Sequence, residues 1–158
     1  MLYFCAYVEQ LCRAYLFYKC ERVDVRGLET LKTGVKYYTV DPGLRYWANG
    51  NRAGDSGRVL ENIVFLELKR RYKNVFTGSA HNGREIDFIV RKGDEVAYYQ
   101  VAETVKEVGT LERELRPLRE LRDNYPKFLI VGEYGNPVMH DGIRQISAYD
   151  FLLKAGMS

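Results

Sequence analysis

Arg84-Glu85-Ile86-Asp87-Phe88-Ile89-Val90, Arg91-Lys92-Gly93-Asp94-Glu95 and Val96-Ala97-Tyr98-Tyr99-Gln100-Val101-Ala102 follow one another without a break. Two runs rich in β-branched and aromatic residues flank a short polar turn, the signature of a β-hairpin. Gly93-Asp94 suits a two-residue loop with glycine at the first central position. With that turn, Asp87 stands directly opposite Gln100. Side chains alternate along a strand, so Glu85, Asp87, Tyr98 and Gln100 share one face, and Ile86, Phe88, Val90, Tyr99 and Val101 take the other. A carboxylate inside an otherwise apolar strand is costly to bury alone. Asp87 therefore needs a metal ion, a lysine or a backbone donor.

Upstream of the hairpin, Asn74 to Gly78 reads as a short strand and Ser79 to Gly83 as a polar loop. Before them, Asp55-Ser56 offers an N-cap for a helix from about Gly57 to Tyr72. Val59, Leu60, Ile63, Val64, Phe65, Leu66 and Leu68 cover most of its circumference, which predicts a largely buried helix. Glu61 lies on that apolar surface one turn before Phe65, whereas Glu67 has Arg70 and Arg71 within reach. Downstream, Thr110 to Asp123 carries Leu111, Leu115, Leu118 and Leu121 at helical spacing, with Glu112 and Arg116 placed as an i,i+4 pair. Pro117 should kink or restart that helix. Lys127 to Gly132 is a nearly all-apolar run, as in a strand covered on both faces. A strand at Ile143 to Ile146 and a helix from Ala148 to Lys154 follow. From residue 57 the order is helix, three strands, helix, strand, strand, helix. That is an α/β domain with a central mixed sheet flanked by helices.

The N-terminal third reads differently. Residues 5–20 show helical spacing at Val8, Leu11, Cys12, Tyr15, Leu16 and Lys19, with an apolar side wide enough to need a partner, as at the cut edge of a larger protein. Arg22 to Gly27 and Val35 to Gly43 then read as two strands, the second ending in Pro42-Gly43. Helix plus two-stranded ribbon reads either as a winged-helix-like remnant over 1–52 or as an N-terminal appendage packed on the main domain, with a second unit over 53–158 beginning at the Asn49–Asp55 loop. A short helix is expected at Leu44 to Ala48.

The chain has 158 residues, a net charge of +3, 28% charged and 46% hydrophobic residues. These values describe a globular protein and tolerate a nucleic-acid partner without demanding one. Cys5, Cys12 and Cys20 form no C-x-x-C pair and His81 and His140 lie far from them, so a zinc site is not expected. Free thiols point to the cytoplasm. No run approaches the length of a membrane span.

The core order helix, three-stranded meander, helix, strand resembles that of the PD-(D/E)XK nucleases, the restriction-endonuclease-like fold. In that family a helix Glu, an Asp on the second strand and a Glu/Gln-x-Lys on the third converge on Mg²⁺. The matching positions are Glu61 in Glu61-Asn62-Ile63-Val64, Asp87 in Glu85-Ile86-Asp87-Phe88 and Gln100 in Gln100-Val101-Ala102. The resemblance thus implies Glu61, Asp87 and Gln100 as the catalytic and metal-holding set, for Mg²⁺ or Mn²⁺, with Glu85 either a further ligand or the partner of Arg84 or Lys92. More closely, the chain resembles the domain of unknown function that follows the AAA-type ATPase module in many bacterial and archaeal ATPases. That likeness rests on Lys36-Tyr37-Tyr38-Thr39-Val40-Asp41-Pro42-Gly43-Leu44-Arg45, Gly57-Arg58-Val59-Leu60-Glu61-Asn62, Tyr99-Gln100-Val101-Ala102, Glu112-Arg113-Glu114-Leu115 and Asp123-Asn124-Tyr125-Pro126-Lys127, with the hairpin between them. It implies a winged helix and an ATPase ahead of this region. No G-x-x-x-x-G-K-[ST] occurs in these residues, so no nucleotide site is expected here.

One position departs from the nuclease pattern. The family lysine falls at Ala102, and its loss removes a group that stabilises the developing charge on phosphate. Lys106 and Lys69 are the substitutes the sequence offers. The departure favours a degenerate nuclease-like domain that binds DNA or a protein partner, the ATPase module among them, over an active nuclease. A structural or self-associating module is the third reading, drawn from the apolar first helix and the thirteen tyrosines. Arg113, Arg116, Arg119 and Arg122 either track phosphates or pair with the interleaved acids, the latter being the ordinary outcome. His81 reads as a surface loop residue.

Overall fold

The computed structural model describes residues 2–50, 54–80 and 83–153, with the backbone alone at 2–5 and 49. His81, the 51–53 part of the expected boundary loop and Lys154 lie outside the described residues. The chain runs α1 (Leu2–Arg13), β1 (Phe17–Cys20), β2 (Arg22–Asp24), β3 (Lys36–Thr39), α2 (Pro42–Asn49), α3 (Ser56–Arg71) and β4 (Asn74–Ser79). It continues through β5 (Glu85–Lys92), β6 (Glu95–Ala102), α4 (Val108–Arg119), β7 (Lys127–Val131), β8 (Val138–His140), β9 (Ile143–Ser147) and α5 (Ala148–Leu153).

The expected α/β architecture is present. A mixed seven-stranded sheet has the order β2-β4-β5-β6-β7-β9-β8, antiparallel through the β4-β5-β6 meander and parallel at β6-β7-β9. One face is covered by α3 and α5, where Val64, Phe65, Leu68 and Phe151 meet Phe88, Val90, Tyr99 and Ile130. The other is covered by α4, whose Leu115 and Leu118 meet Ile89, Tyr98 and Leu129. Leu129 and Ile130 thus serve opposite cores, which is why β7 reads as an unbroken apolar run.

The N-terminal third folds otherwise than its spacing suggests. The first helix stops at Arg13; the chain turns at Tyr15 (φ 56°), and Phe17–Cys20 becomes β1. Tyr18 and Cys20 then point inward toward Phe65 and the core. The ribbon is formed by β1 and β3, while β2 leaves it to lie parallel to β4 as an edge strand of the main sheet. The sheet therefore draws one of its strands from residues 22–24, ahead of the expected 52/53 boundary. Tyr38 of β3 stacks on Phe65 of α3 at 4.2 Å.

The side chain of Asn62, 4% exposed, holds β3 in place as a neighbouring strand would. Its Oδ1 accepts from the Thr39 N–H at 2.9 Å and its Nδ2 donates to the Thr39 carbonyl at 3.0 Å. Asp55 stands at the N-cap of α3 as expected, but its side chain makes no capping hydrogen bond; its carboxylate is held by Arg45 of α2. In α4 the helix passes through the buried Pro117 and ends two residues later. Glu112 pairs with Arg119 rather than Arg116, which pairs with Glu120.

Candidate functional site

The hairpin has the expected register, from Lys92↔Glu95 at the turn to Phe88↔Tyr99. Past Phe88 the backbone ladder between β5 and β6 ends and side chains take over. The Asp87 N–H donates to Gln100 Oε1 at 3.4 Å, and the Val101 N–H donates to Asp87 Oδ2 at 2.9 Å. The backbone donor is thus one answer to what Asp87 needs.

A bulge on the other edge of β5 aims this residue. Phe76 pairs with Ile89 but Gly78 with Ile86, so Thr77 faces two residues, Asp87 and Phe88. Bulges re-aim side chains in this way. The extra residue reverses the alternation below it: Ile86 joins Ile89 on the α4 side and not Phe88 on the α3 side, correcting the expected face.

Glu61, Asp87 and Gln100 are brought together, lining a pocket of about 450 Å³ with Arg58, Arg113 and Glu114. Glu61 Oε1 accepts from the Tyr38 hydroxyl at 2.7 Å and from Lys36 Nζ at 3.3 Å. Lys36 also lies 3.6 Å from Glu85, whose carboxylate is shared with Arg22 at 2.9 Å. Arg84, one of the partners proposed for Glu85, pairs with Glu120 instead. Gln100 Nε2 donates to Glu114 Oε2 at 3.2 Å. Ala102 lines the pocket and is packed into the α4-side core.

Neither lysine offered by the sequence reaches this place. Lys106 pairs with Glu133 at 2.6 Å, and Lys69 donates to the Lys73 carbonyl at 2.8 Å. Lys36 of the ribbon reaches the Glu61 carboxylate instead, from outside the residues that line the pocket. Alternation on Lys36-Tyr37-Tyr38-Thr39 puts Lys36 on the inward face with Tyr38, a signal that could have flagged it. Glu114 was harder to find, lying just beside the Leu111-Leu115-Leu118 stripe.

Burial, then the nearby Glu61 charge, pushes the Asp87 carboxyl up to about 7, against the pull of the Val101 N–H and Lys36. Burial would lower the Lys36 ammonium, but Glu61, Asp87 and Glu85 outweigh it and hold it above its ordinary value. Burial and the neighbouring Glu61 oppose ionisation of Asp87, and Glu61, Asp87 and the Gln100 amide offer oxygens of the kind that hard cations such as Mg²⁺ or Mn²⁺ take. Among the described residues no group of three or more His, Cys, Asp or Glu is arranged to hold a metal, so the fit rests on two carboxylates and an amide. Among these residues also, no helix is long and apolar enough to cross a membrane.

Comparison with known proteins adds one relative. A Haemophilus influenzae protein described as uncharacterized is 44% identical over 148 residues, covering 94% of this chain and 36% of the relative. The chain therefore spans about a third of the length of the relative it matches. No protein-family model matches the chain. No solved structure matches it either.

Proposed function

We propose that the pocket is a phosphodiester site of the PD-(D/E)XK kind, in which Glu61, Asp87 and Gln100 hold Mg²⁺ or Mn²⁺ and Lys36 replaces the lysine missing at Ala102. The observation that carries this reading is the Lys36 ammonium 3.3 Å from Glu61, in the same charged cluster as Asp87. Support for the fold comes from the run α3, β4-β5-β6, α4, β7 and from the parting of β5 and β6 at Asp87. On this reading α1 and the β1–β3 ribbon are the winged-helix remnant.

Each residue has a role that its contacts suit. Tyr38 and Lys36 fix the Glu61 carboxylate, and Glu114 orients the Gln100 amide so that its oxygen faces Asp87. Asp87 keeps one carboxylate oxygen on the Val101 N–H and has the other to offer. A bound divalent ion would polarise a phosphate and make attacking water more acidic. Lys36 would stabilise negative charge growing on the phosphoryl oxygens.

Calorimetric titration with Mn²⁺ is the direct test. Micromolar binding is expected in the wild type and none in Asp87→Asn, and Lys36→Met should bind the ion yet fail to cleave nucleic acid. Cleavage unaffected by Lys36→Met would sink the assignment of that lysine. A second reading has its own support, since Lys36 already compensates Glu61 with no ion. There the domain binds DNA or a partner protein within a longer, ATPase-linked polypeptide and cuts nothing. Absent Mn²⁺ binding together with DNA affinity that falls steeply with salt would decide for it.

A further inference from the structure

The Lys36 ammonium stands between two carboxylates, 3.3 Å from Glu61 Oε1 and 3.6 Å from Glu85 Oε2. The first contact is a hydrogen bond, and the second is an ion pair too long to be one. The four-carbon stem that carries the ammonium is flexible, and the side chain is 34% exposed. A small rotation of that stem would exchange one carboxylate for the other.

Glu85 is held ready from its far side. Its Oε1 pairs with Arg22 Nη2 at 2.9 Å, and its Oε2 is the oxygen nearer Lys36. Arg22 lies on β2, within the main sheet. Gly34 (φ 85°) closes on its stem, where a Cβ would stand 2.7 Å from Arg22 Cδ. Arg22 and Glu85 therefore form a fixed frame beside a movable cation. Neither Lys36 nor Glu85 lines the pocket of Glu61 and Asp87, so Glu85 can influence that pocket without being a ligand in it.

The Glu61 carboxylate is where the two cations would meet. Its Oε1 already accepts from the Tyr38 hydroxyl and from Lys36. A divalent ion on the same carboxylate would stand within about 4–6 Å of the ammonium, where like charges repel strongly in a partly buried site. Against the cost of burial, Glu61, Asp87 and Glu85 together keep that ammonium charged, so the repulsion is not relieved by losing a proton.

We propose that Lys36 antagonises the divalent ion at Glu61, and that Glu85 is the positioning residue that draws the ammonium aside. The proposal rests on the phosphodiester reading above and names the regulation of that site. The pocket carries its own counter-ion, which keeps Glu61 compensated until a divalent ion displaces it toward Glu85. Because Arg22 neutralises Glu85, the direct pull of Glu85 on the ion is small, and its effect passes through Lys36.

Calorimetric titration of the full chain with Mn²⁺ tests this, on the wild type, Lys36→Met, Glu85→Gln and the double variant. Lys36→Met should bind Mn²⁺ about tenfold more tightly than wild type. Glu85→Gln should weaken binding about three- to fivefold, but by less than about twofold once Lys36 is already replaced. Lys36→Gln takes the place of Lys36→Met if the latter loses its cooperative thermal transition. Unchanged or weaker affinity in Lys36→Met overturns this inference alone and leaves the metal site standing. Equal weakening by Glu85→Gln in both backgrounds makes Glu85 a ligand and ends its positioning role. Mn²⁺ bound by Lys36→Met but not by wild type upholds the antagonism and overturns the metal-dependent reading of the native chain. Absence of binding in every variant overturns both.

Discussion

Asp87 is a buried carboxyl group in the pocket wall beside Glu61. Its pKa stands raised to about 7, so the folded protein binds the proton more tightly than the unfolded chain does. Stability must then fall as pH rises from the ordinary carboxylate range near 4 toward 7 and level off above it. Asp87→Asn, which keeps an oxygen for the Val101 N–H and carries no charge, escapes that loss. Urea unfolding at pH 8 should find the variant more stable than wild type by about 2–4 kcal/mol, with the two converging near pH 4. A difference that ignores pH would mean that the carboxyl is not strained. The same group is what a divalent ion would stabilise in ionised form, so stability and binding pull in opposite directions here.

At the scale of elements, two devices hold the site. The first is Asn62, whose amide pairs with both backbone groups of Thr39 and so delivers Lys36 and Tyr38 to Glu61. Asn62→Ala leaves a buried N–H and C=O without these partners and should cost about 1–3 kcal/mol. On the proposed reading β3 is then freed, so Mn²⁺ binding should outlast cleavage, which separates the clamp from the ligands. The second is the bulge opposite Thr77. Gly78 sits against it, where a Cβ would lie 2.8 Å from Ile89 Cδ1 and 3.1 Å from the rigid Ile86 Cβ. Gly78→Ala should therefore destabilise by about 1–3 kcal/mol, measured by thermal or denaturant unfolding. A neutral result would show that the bulge shifts freely and does not fix Asp87.

Across the whole molecule, the N-terminal third lends a strand to the seven-stranded sheet and side chains to both of its cores. Val23 of β2 is buried in the α4-side cluster, and Cys20 and Tyr38 in the α3-side cluster. Removing them would bare the edge of β4 and the face of Phe65. A chain beginning at residue 53 is expected to lose its cooperative thermal transition and its near-ultraviolet dichroism. If both persist, the two parts are independent domains.

Apart from β8, which the sequence reading missed, the local elements from residue 56 onward were legible because each depends on a few neighbouring residues. Alternation, the Gly93-Asp94 turn and the leucine spacing of α4 set the hairpin register and the helices, and with them Asp87 opposite Gln100; that Glu61 joins the two was implied by the resemblance to the PD-(D/E)XK pattern. Other features depended on what packs opposite. Phe17–Cys20 has helical spacing but pairs as a strand, because Tyr18 and Cys20 find a core to enter. The bulge that reverses Ile86 answers to β4, and β2 finds its partner more than fifty residues away. Lys36 reads as an ordinary strand lysine until α3 places Glu61 before it. Sequence alone determined most elements from residue 56 onward and set Asp87 opposite Gln100. Only the tertiary structure decided which cation meets Glu61 beside them, because pairing and charge depend on distances between segments that local periodicity does not encode.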